Sequence, residues 1–136
     1  MDGCVFCSIA AGKIPCMKVY EDEAALAFMD IAGDVDGHIL VIPKAHFQSI
    51  LDCEGDALRA VMAAARRVAV HLTEKCGYTG VNLLNASGMS AGQSVAHFHI
   101  HLIPRREGDG IDAWPRFSGA KEDAQRVFAQ VRMTEG

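Results

Sequence analysis

The most informative segment of the chain is residues 92–103, which read Gly92-Gln93-Ser94-Val95-Ala96-His97-Phe98-His99-Ile100-His101-Leu102-Ile103. Three of the six histidines of the chain alternate here with large apolar residues. Because successive side chains of a β-strand point to opposite faces, the alternation predicts a strand from about Ala96 to Ile103, ended by Pro104. The three histidines then share one face. The side chains on the opposite, core-facing side are Phe98, Ile100 and Leu102.

Two kinds of chemistry use histidines in this arrangement. In one, His-x-His pairs bind a catalytic metal; in the other, one imidazole is a nucleophile that attacks phosphorus. The preceding connection, from Asn85 to Ser94, is rich in small residues, hydroxyls and amides, which let backbone N–H groups approach phosphate oxygens. Neither Asp nor Glu occurs between Gly80 and Ile103, so this segment gives little support to a carboxylate-assisted metal site.

Composition limits the class of protein. The 136 residues, 50% hydrophobic and 22% charged, predict one globular domain. With 13 Lys and Arg against 17 Asp and Glu, the net charge of −4 provides no electrostatic footprint for nucleic acid. No apolar run approaches the length of a membrane span, and the first residues lack the pattern of a secretory signal. We therefore expect a cytoplasmic protein that does not insert into a membrane.

The rest of the chain predicts an α+β protein with a five-stranded antiparallel sheet, because its strands follow one another through short turns. Besides the histidine strand, the predicted strands are Val19-Tyr20, Ala25 to Met29, His38 to Pro43 and Gly80 to Asn85. The predicted helices are a short one at Phe6 to Ala11, a long one at Glu54 to Cys76 and a C-terminal one at Lys121 to Met133.

The long helix is predicted to have two apolar sides. Its core-facing side, at steps of three, four and seven, consists of Leu58, Val61, Met62, Ala65, Ala69 and Leu72. The opposite side has the small residues Ala57, Ala60 and Ala64, which indicates a second packing partner such as another subunit. The apolar face of the C-terminal helix is expected to pack on the domain through Ala124, Val127, Phe128 and Val131.

Five cysteines, an odd number without an export signal, argue against a disulfide framework. Cys4 and Cys7 stand apart as a Cys-x-x-Cys pair. Redox chemistry is one interpretation, but no thioredoxin-like strand precedes the pair. A metal half-site is the better hypothesis, and it needs two more ligands from elsewhere in the chain. Two imidazoles together with these two thiolates would make a closed tetrahedral zinc site.

The histidine stretch resembles the histidine triad (HIT) family, whose pattern is three alternating histidines that are each followed by an apolar residue. Three further segments look like family signatures in the expected order: Phe28-Met29-Asp30-Ile31, Val41-Ile42-Pro43-Lys44-Ala45-His46 and Gly92-Gln93-Ser94-Val95. The resemblance spans Cys4 to Arg105 and is greatest to the bacterial zinc-containing members near the Hint branch. It implies a single HIT domain over residues 1–136, with a core at about 4–105 and a C-terminal extension at 106–136.

The resemblance implies a role for each residue of the site. His99 would attack the α-phosphorus of a nucleotide conjugate and form a nucleotidyl-histidine, which water then hydrolyses to a nucleoside monophosphate. The catalytic neighbours would be His101 against the phosphate, with Gln93 and Ser94 as hydrogen-bond donors. The remaining substrate contacts would be Asn85 at the phosphate, Asp30 at the ribose, Phe28 and Ile31 around the purine, and His38, which is equally compatible with a structural hydrogen bond.

The resemblance also implies the partners of the Cys4 and Cys7 pair. They would be His46 and His97, so that a structural zinc ion holds the N-terminal helix; no organic cofactor is implied. Family members of this kind are usually homodimers, and we expect a dimer here. Trp114, in the extension, is expected either to close over the pocket of a partner subunit or to cover its own core beside Pro115.

Three functions agree with this resemblance. The first is hydrolysis or transfer on a purine nucleoside phosphoramidate, or on a related adenylate conjugate. The second is hydrolysis of dinucleoside polyphosphates as in Fhit-like proteins, since the continuation Ile103-Pro104-Arg105-Arg106 with Gly108-Asp109-Gly110 is similar to those too. The third is nucleotide binding with a mainly regulatory role. A metal-dependent hydrolase is less favoured, because the best metal ligands form a closed set.

Overall fold

The computed structural model describes residues 3–134 and confirms the α+β class. The elements in chain order are α1 (Val5–Ala10), β1 (Lys18–Glu21), β2 (Ala25–Met29), β3 (Ile39–Pro43), α2 (Gly55–Lys75), β4 (Gly80–Leu84), β5 (Ile100–Arg105) and α3 (Ala124–Val131), with a short 3₁₀ turn at Met89–Ala91 before β5. The strands form one antiparallel sheet in the order β1-β2-β3-β5-β4. No helix within residues 3–134 is long and apolar enough to cross a membrane.

The sheet separates two apolar clusters. On one face, α2 packs through Val61, Ala65 and Leu72 against alternate residues of the central strands. On the other face, Phe6 of α1 packs against Phe28 and the neighbouring side chains of β2 and β3. The central strands β2 and β3 are therefore buried on both faces, which is why they read as continuous apolar runs instead of alternating ones.

The core-facing side of α2 differs from the prediction by a small rotation. Ala64, assigned by the sequence to the outer side, is buried in the core, whereas Met62, assigned to the core, is 43% exposed. Both residues lie at the border of an apolar stripe, where periodicity alone does not fix the boundary. The predicted end of this helix is confirmed, because Gly77 follows it with a φ of 80°, a conformation that favours glycine.

The histidine strand begins later than predicted and also ends later. β5 pairs with β3 only from Ile100 onward, because the carbonyl of Pro43 accepts a hydrogen bond from His97 Nε2, and the N–H of Phe98 donates to Phe47. At the other end, Pro104 does not stop the strand. It pairs with Val81 of β4, while the pairing with β3 extends only to Leu102. The missing N–H of Pro104 therefore costs no bond to β3.

The C-terminal helix does not pack on the domain as predicted, since none of its residues is buried. Asp123 begins α3 by accepting a hydrogen bond from the N–H of Arg126, yet Phe128 of that helix is 58% exposed. Trp114 is 71% exposed and contacts Phe117 edge to face, so the interpretation that Trp114 covers its own core is wrong. The spacing of apolar residues indicates that a helix has an apolar face, but it does not say what covers that face.

Candidate functional site

All three histidines of the triad lie on one side of the sheet, as the alternation predicted. This is the side that α1 covers. His97 and His99 are buried, with 0% and 4% of their surface exposed, although both precede β5. Their rings contact the edge of Phe6 at centroid distances of 5.9 and 5.3 Å. His101, on β5 itself, is half-buried, and its ring meets the ring of His99 edge to face at a centroid distance of 4.8 Å.

A group of four side chains forms a candidate metal centre at one end of this row: Cys4, Cys7, His46 and His97. One ligand atom from each lies within 4.8 Å of all the others. Sγ of Cys4 is 3.4 Å from Nδ1 of His97, and Sγ of Cys7 is 3.2 Å from Nδ1 of His46. Two such ligands of one tetrahedral zinc ion are separated by about 3.6 Å. The cluster therefore fits a closed zinc site of two sulfurs and two nitrogens.

Backbone contacts prepare His97 for this position. Its Nε2 donates to the carbonyl of Pro43 at 2.9 Å, which leaves the lone pair of Nδ1 directed at the two sulfurs. Burial lowers the pKa of His97, and this favours the neutral imidazole that a metal requires. Since Cys4 is the N-cap of α1 and Cys7 lies within that helix, zinc bound here would tie α1 to the triad.

His99 uses its two ring nitrogens in the opposite way. Nδ1 donates to the carbonyl of His97 at 2.7 Å, so that Nε2 has the free lone pair. The carbonyl of His99 itself accepts from Nδ2 of Asn85 at 2.8 Å, which holds the backbone at this point. This arrangement gives a buried imidazole with one fixed tautomer and one free nitrogen, as a nucleophile needs.

His101 belongs to a second hydrogen-bonded group. Its Nδ1 is 2.9 Å from Nε2 of His38, and Nδ1 of His38 is 2.8 Å from a carboxylate oxygen of Asp34. An oxygen of Asp30 lies 3.6 Å from Nε2 of His38. The separation of 2.9 Å between the two ring nitrogens is the length of a hydrogen bond. Burial lowers the pKa of His101 to about 4, and this keeps its ring neutral at physiological pH.

A cleft of about 680 Å³ opens beside His99 and His101. Six of the residues predicted from the sequence line it: Phe28, Asp30, Ile31, Ser94, His99 and His101. The volume is within the usual range of small-molecule sites. Three predicted residues do not line this cleft: His38, Asn85 and Gln93.

Gln93 instead forms hydrogen bonds within the loop that precedes the triad. Its Oε1 accepts from the N–H of Gly88, and its Nε2 donates to the carbonyl of Val95. Gly88 and Gly92 have φ values of 97° and 90°, which other residues rarely adopt, so the loop needs glycine at both positions. Ser94 follows Gln93 in the chain and is exposed to the cleft.

One wall of the cleft was missed in the sequence. It consists of α1 and the segment after it: Val5, Ile9, Ile14, Pro15, Cys16 and Met17. These residues have no chemical signature of their own. The available signal was the Cys4 and Cys7 pair, because a metal site that joins this pair to His97 necessarily brings α1 beside the triad.

Comparisons with known proteins agree with the geometry. The family model described as HIT domain matches residues 11–108. "Protein hit" of Bacillus subtilis is 40% identical over 134 residues, which cover 96% of this chain and 92% of the relative. Adenosine 5′-monophosphoramidase of Schizosaccharomyces pombe is 33% identical over 130 residues, which cover 94% of this chain and 95% of the relative.

Among solved structures, the zinc-bound histidine triad family protein from Mycobacterium smegmatis superposes with a TM-score of 0.76 at 36% identity, over 82% of this chain and 81% of that one. A HIT family member from Bacillus subtilis superposes with a TM-score of 0.83 at 38% identity, over 99% of this chain and all of that one. A family model that matches most of the chain, and relatives that match nearly all of it, show that the chain belongs to the histidine triad (HIT) family.

Proposed function

We propose that this protein is a histidine triad hydrolase that cleaves purine nucleoside phosphoramidates or related adenylate conjugates at the α-phosphorus. The observation that carries the proposal is the state of His99, whose Nδ1 is fixed by a backbone carbonyl while Nε2 is free beside a nucleotide-sized cleft. Nε2 forms a bond to phosphorus as the bond to the leaving amine breaks, and the amine takes up a proton. Water then breaks the N–P bond and releases the nucleoside monophosphate.

The lining of the cleft supports a bound nucleotide. Phe28 and Ile31 offer apolar surface for a purine, and the carboxylate of Asp30, a half-buried group, can accept hydrogen bonds from ribose hydroxyls. Ser94 and His101 lie where donors can stabilise the charge that develops on phosphate oxygens during attack. The name of the Schizosaccharomyces pombe relative, a monophosphoramidase, favours an amine as the leaving group.

The family resemblance implied that Asn85 and Gln93 contact the phosphate directly. This proposal gives the two residues a supporting role instead. Nδ2 of Asn85 holds the carbonyl of His99, and both polar ends of the Gln93 amide are bonded within its loop. We therefore assign them to holding His99 and Ser94 in position, while direct contacts of either residue with phosphate stay a prediction.

The proposal includes a homodimer in a reducing compartment such as the cytoplasm. None of the five cysteines, all of which lie within residues 3–134, is in a disulfide, which is usual in the cytoplasm. The outer strand β4 exposes Leu83, and Met62 of α2 and Phe128 of α3 are exposed apolar side chains as well. We expect twice the chain mass by light scattering at micromolar concentration; the mass of one chain would refute the dimer.

The test measures the release of adenosine monophosphate from adenosine 5′-phosphoramidate in three proteins: the wild type, His99→Ala and the matched control His71→Ala. His71 is exposed on α2, away from the cleft. We expect turnover that is lost only in His99→Ala. Equal turnover in all three proteins would reject the mechanism. Turnover of dinucleoside polyphosphates alone, with a triphosphate and a monophosphate released from a tetraphosphate-bridged substrate, would favour the Fhit-like function instead.

A further inference from the structure

The site contains one carboxylate that the family resemblance does not assign. Asp34 lies in the connection between β2 and β3, and its Oδ1 is 2.8 Å from Nδ1 of the buried His38. Nε2 of His38 is in turn 2.9 Å from Nδ1 of His101, which lines the cleft. A continuous chain of hydrogen bonds thus runs from Asp34 through His38 to His101.

The direction of the protons in this chain follows from the chemistry of its ends. An ionised carboxylate only accepts hydrogen bonds, so Nδ1 of His38 must be the donor to Asp34. The hydrogen bond from His38 lowers the pKa of Asp34, which keeps that carboxylate ionised. The second nitrogen of His38, Nε2, then either accepts from His101 or, when His38 is an imidazolium, donates to it.

These two states give His101 opposite properties at the cleft. If Nε2 of His38 accepts, Nδ1 of His101 holds the proton and its Nε2 presents a bare lone pair. If Nε2 of His38 donates, Nδ1 of His101 is the acceptor and its Nε2 presents an N–H. Only the second state places a donor beside a phosphate or a leaving amine. A negative charge at Asp34 favours this state, because it stabilises the imidazolium of His38.

The geometry points to Asp34 as a positioning residue of the proposed hydrolase: by holding Nδ1–H of His38 and opposing its charge, Asp34 makes His101 a hydrogen donor toward the substrate. This inference rests on the proposed function. Asp34 does not line the cleft, so it acts through His38 and not on the substrate itself.

The chain gives a balanced route for the proton of the leaving group. As the P–N bond breaks, Nε2 of His101 gives its proton to the departing nitrogen, and Nδ1 takes the proton from Nε2 of His38. His38 becomes neutral and keeps its Nδ1–H on Asp34. When water attacks the nucleotidyl-histidine, the proton returns by the reverse steps. The ionisable groups that face His38 are Asp34 at Nδ1, and Asp30, at 3.6 Å, and His101 at Nε2. Those that face His101, besides His38, are His99, Asp30 and Asp34.

The test compares Asp34→Asn with the control Asp36→Asn, an exposed carboxylate two residues away. Asparagine keeps an acceptor for His38 but removes the charge. We expect kcat for adenosine 5′-phosphoramidate to fall about tenfold in Asp34→Asn with little change in KM. The basic limb of its pH profile should also move to lower pH, by about one unit. A purely structural residue would not move that limb.

A second measurement works without turnover. Nitrogen-15 NMR of the histidine rings should show Nδ1 of His38 protonated in the wild type and in Asp36→Asn, and a change of tautomer or mixed tautomers in Asp34→Ala. If the wild type releases no monophosphate, the proposed function fails, and this spectrum still decides the role of Asp34 in orienting the chain. Wild-type kinetics in Asp34→Asn, or an unchanged His38 spectrum in Asp34→Ala, would overturn the inference.

Discussion

His97 and His99 are two residues apart, buried against the same phenylalanine, and yet the structure prepares them for different chemistry. His97 donates through Nε2 to the carbonyl of Pro43, so its Nδ1 faces two cysteine sulfurs. His99 donates through Nδ1 to the carbonyl of His97, so its Nε2 is left for the cleft. In both histidines, the hydrogen-bond partner of one ring nitrogen decides what the other nitrogen can do.

The largest expected effect comes from exchanging the two histidines for glutamine in turn. Monophosphate release should fall about 1,000-fold or more in His99→Gln, because the proposed nucleophile is gone, but this variant should bind zinc as the wild type does. His97→Gln should bind less zinc and unfold at a lower temperature. Phosphoramidate turnover, metal analysis and thermal unfolding measure the three quantities. Loss of zinc in His99→Gln would show that the metal site and the surroundings of His99 are not independent.

Removal of the metal should have the next largest effect. Cys7→Ser deletes one ligand of the closed set and should lower both the zinc content and the midpoint of unfolding, the latter by on the order of 10 °C. Cys76→Ser is the control, since Cys76 is an exposed free thiol at the end of α2. Wild-type protein that is purified without chelators and holds well below one zinc ion per chain would contradict the metal site.

His101 is expected to make the free energy of unfolding depend on pH. Burial lowers the pKa of His101 to about 4, whereas an unfolded histidine titrates near 6.5. Between these values the unfolded chain binds the additional proton, so the free energy of unfolding must fall as the pH falls through this window. His101→Gln, with zinc bound, should show a shallower loss in denaturant titrations from pH 7 to pH 4. The same pH dependence in both proteins would mean that His101 is not held neutral.

The smallest expected effect concerns the support of His99. Asn85→Ala removes the hydrogen bond to the carbonyl of His99 and should lower the free energy of unfolding by about 1 kcal/mol. Turnover should fall several-fold, since the nucleophile stays but is held less firmly. Ser90→Ala, in the exposed part of the same loop, is the control. An unchanged kcat in Asn85→Ala would remove Asn85 from the site.

The sequence predicted which residues cluster at the site better than it predicted where the histidine strand begins. Strict alternation placed three histidines on one side of the sheet, and the Cys-x-x-Cys spacing predicted a metal half-site, because both patterns depend on local geometry. The break between His99 and Ile100 was not predictable in that way. It depends on long-range contacts, in which His97 occupies the carbonyl of Pro43 and Phe98 bonds to Phe47.

The same reasoning applies to Gln93 and explains the error at the C-terminal helix. An amide beside glycines in a loop has the composition of a phosphate site, but Gln93 bonds its own loop, and composition does not distinguish the two. Phe128 lies on an apolar helix face as predicted, yet the face is exposed, because periodicity gives no information about a packing partner.

The stereochemistry at phosphorus distinguishes attack by His99 from direct attack by water. An adenosine phosphoramidate that is made chiral at phosphorus with sulfur would be hydrolysed in oxygen-18 water, and the configuration of the product determined. Each in-line displacement inverts phosphorus, so attack by Nε2 of His99 followed by attack of water predicts overall retention. Overall inversion would rule out a nucleotidyl-histidine, because it would mean that water attacks the substrate in a single step.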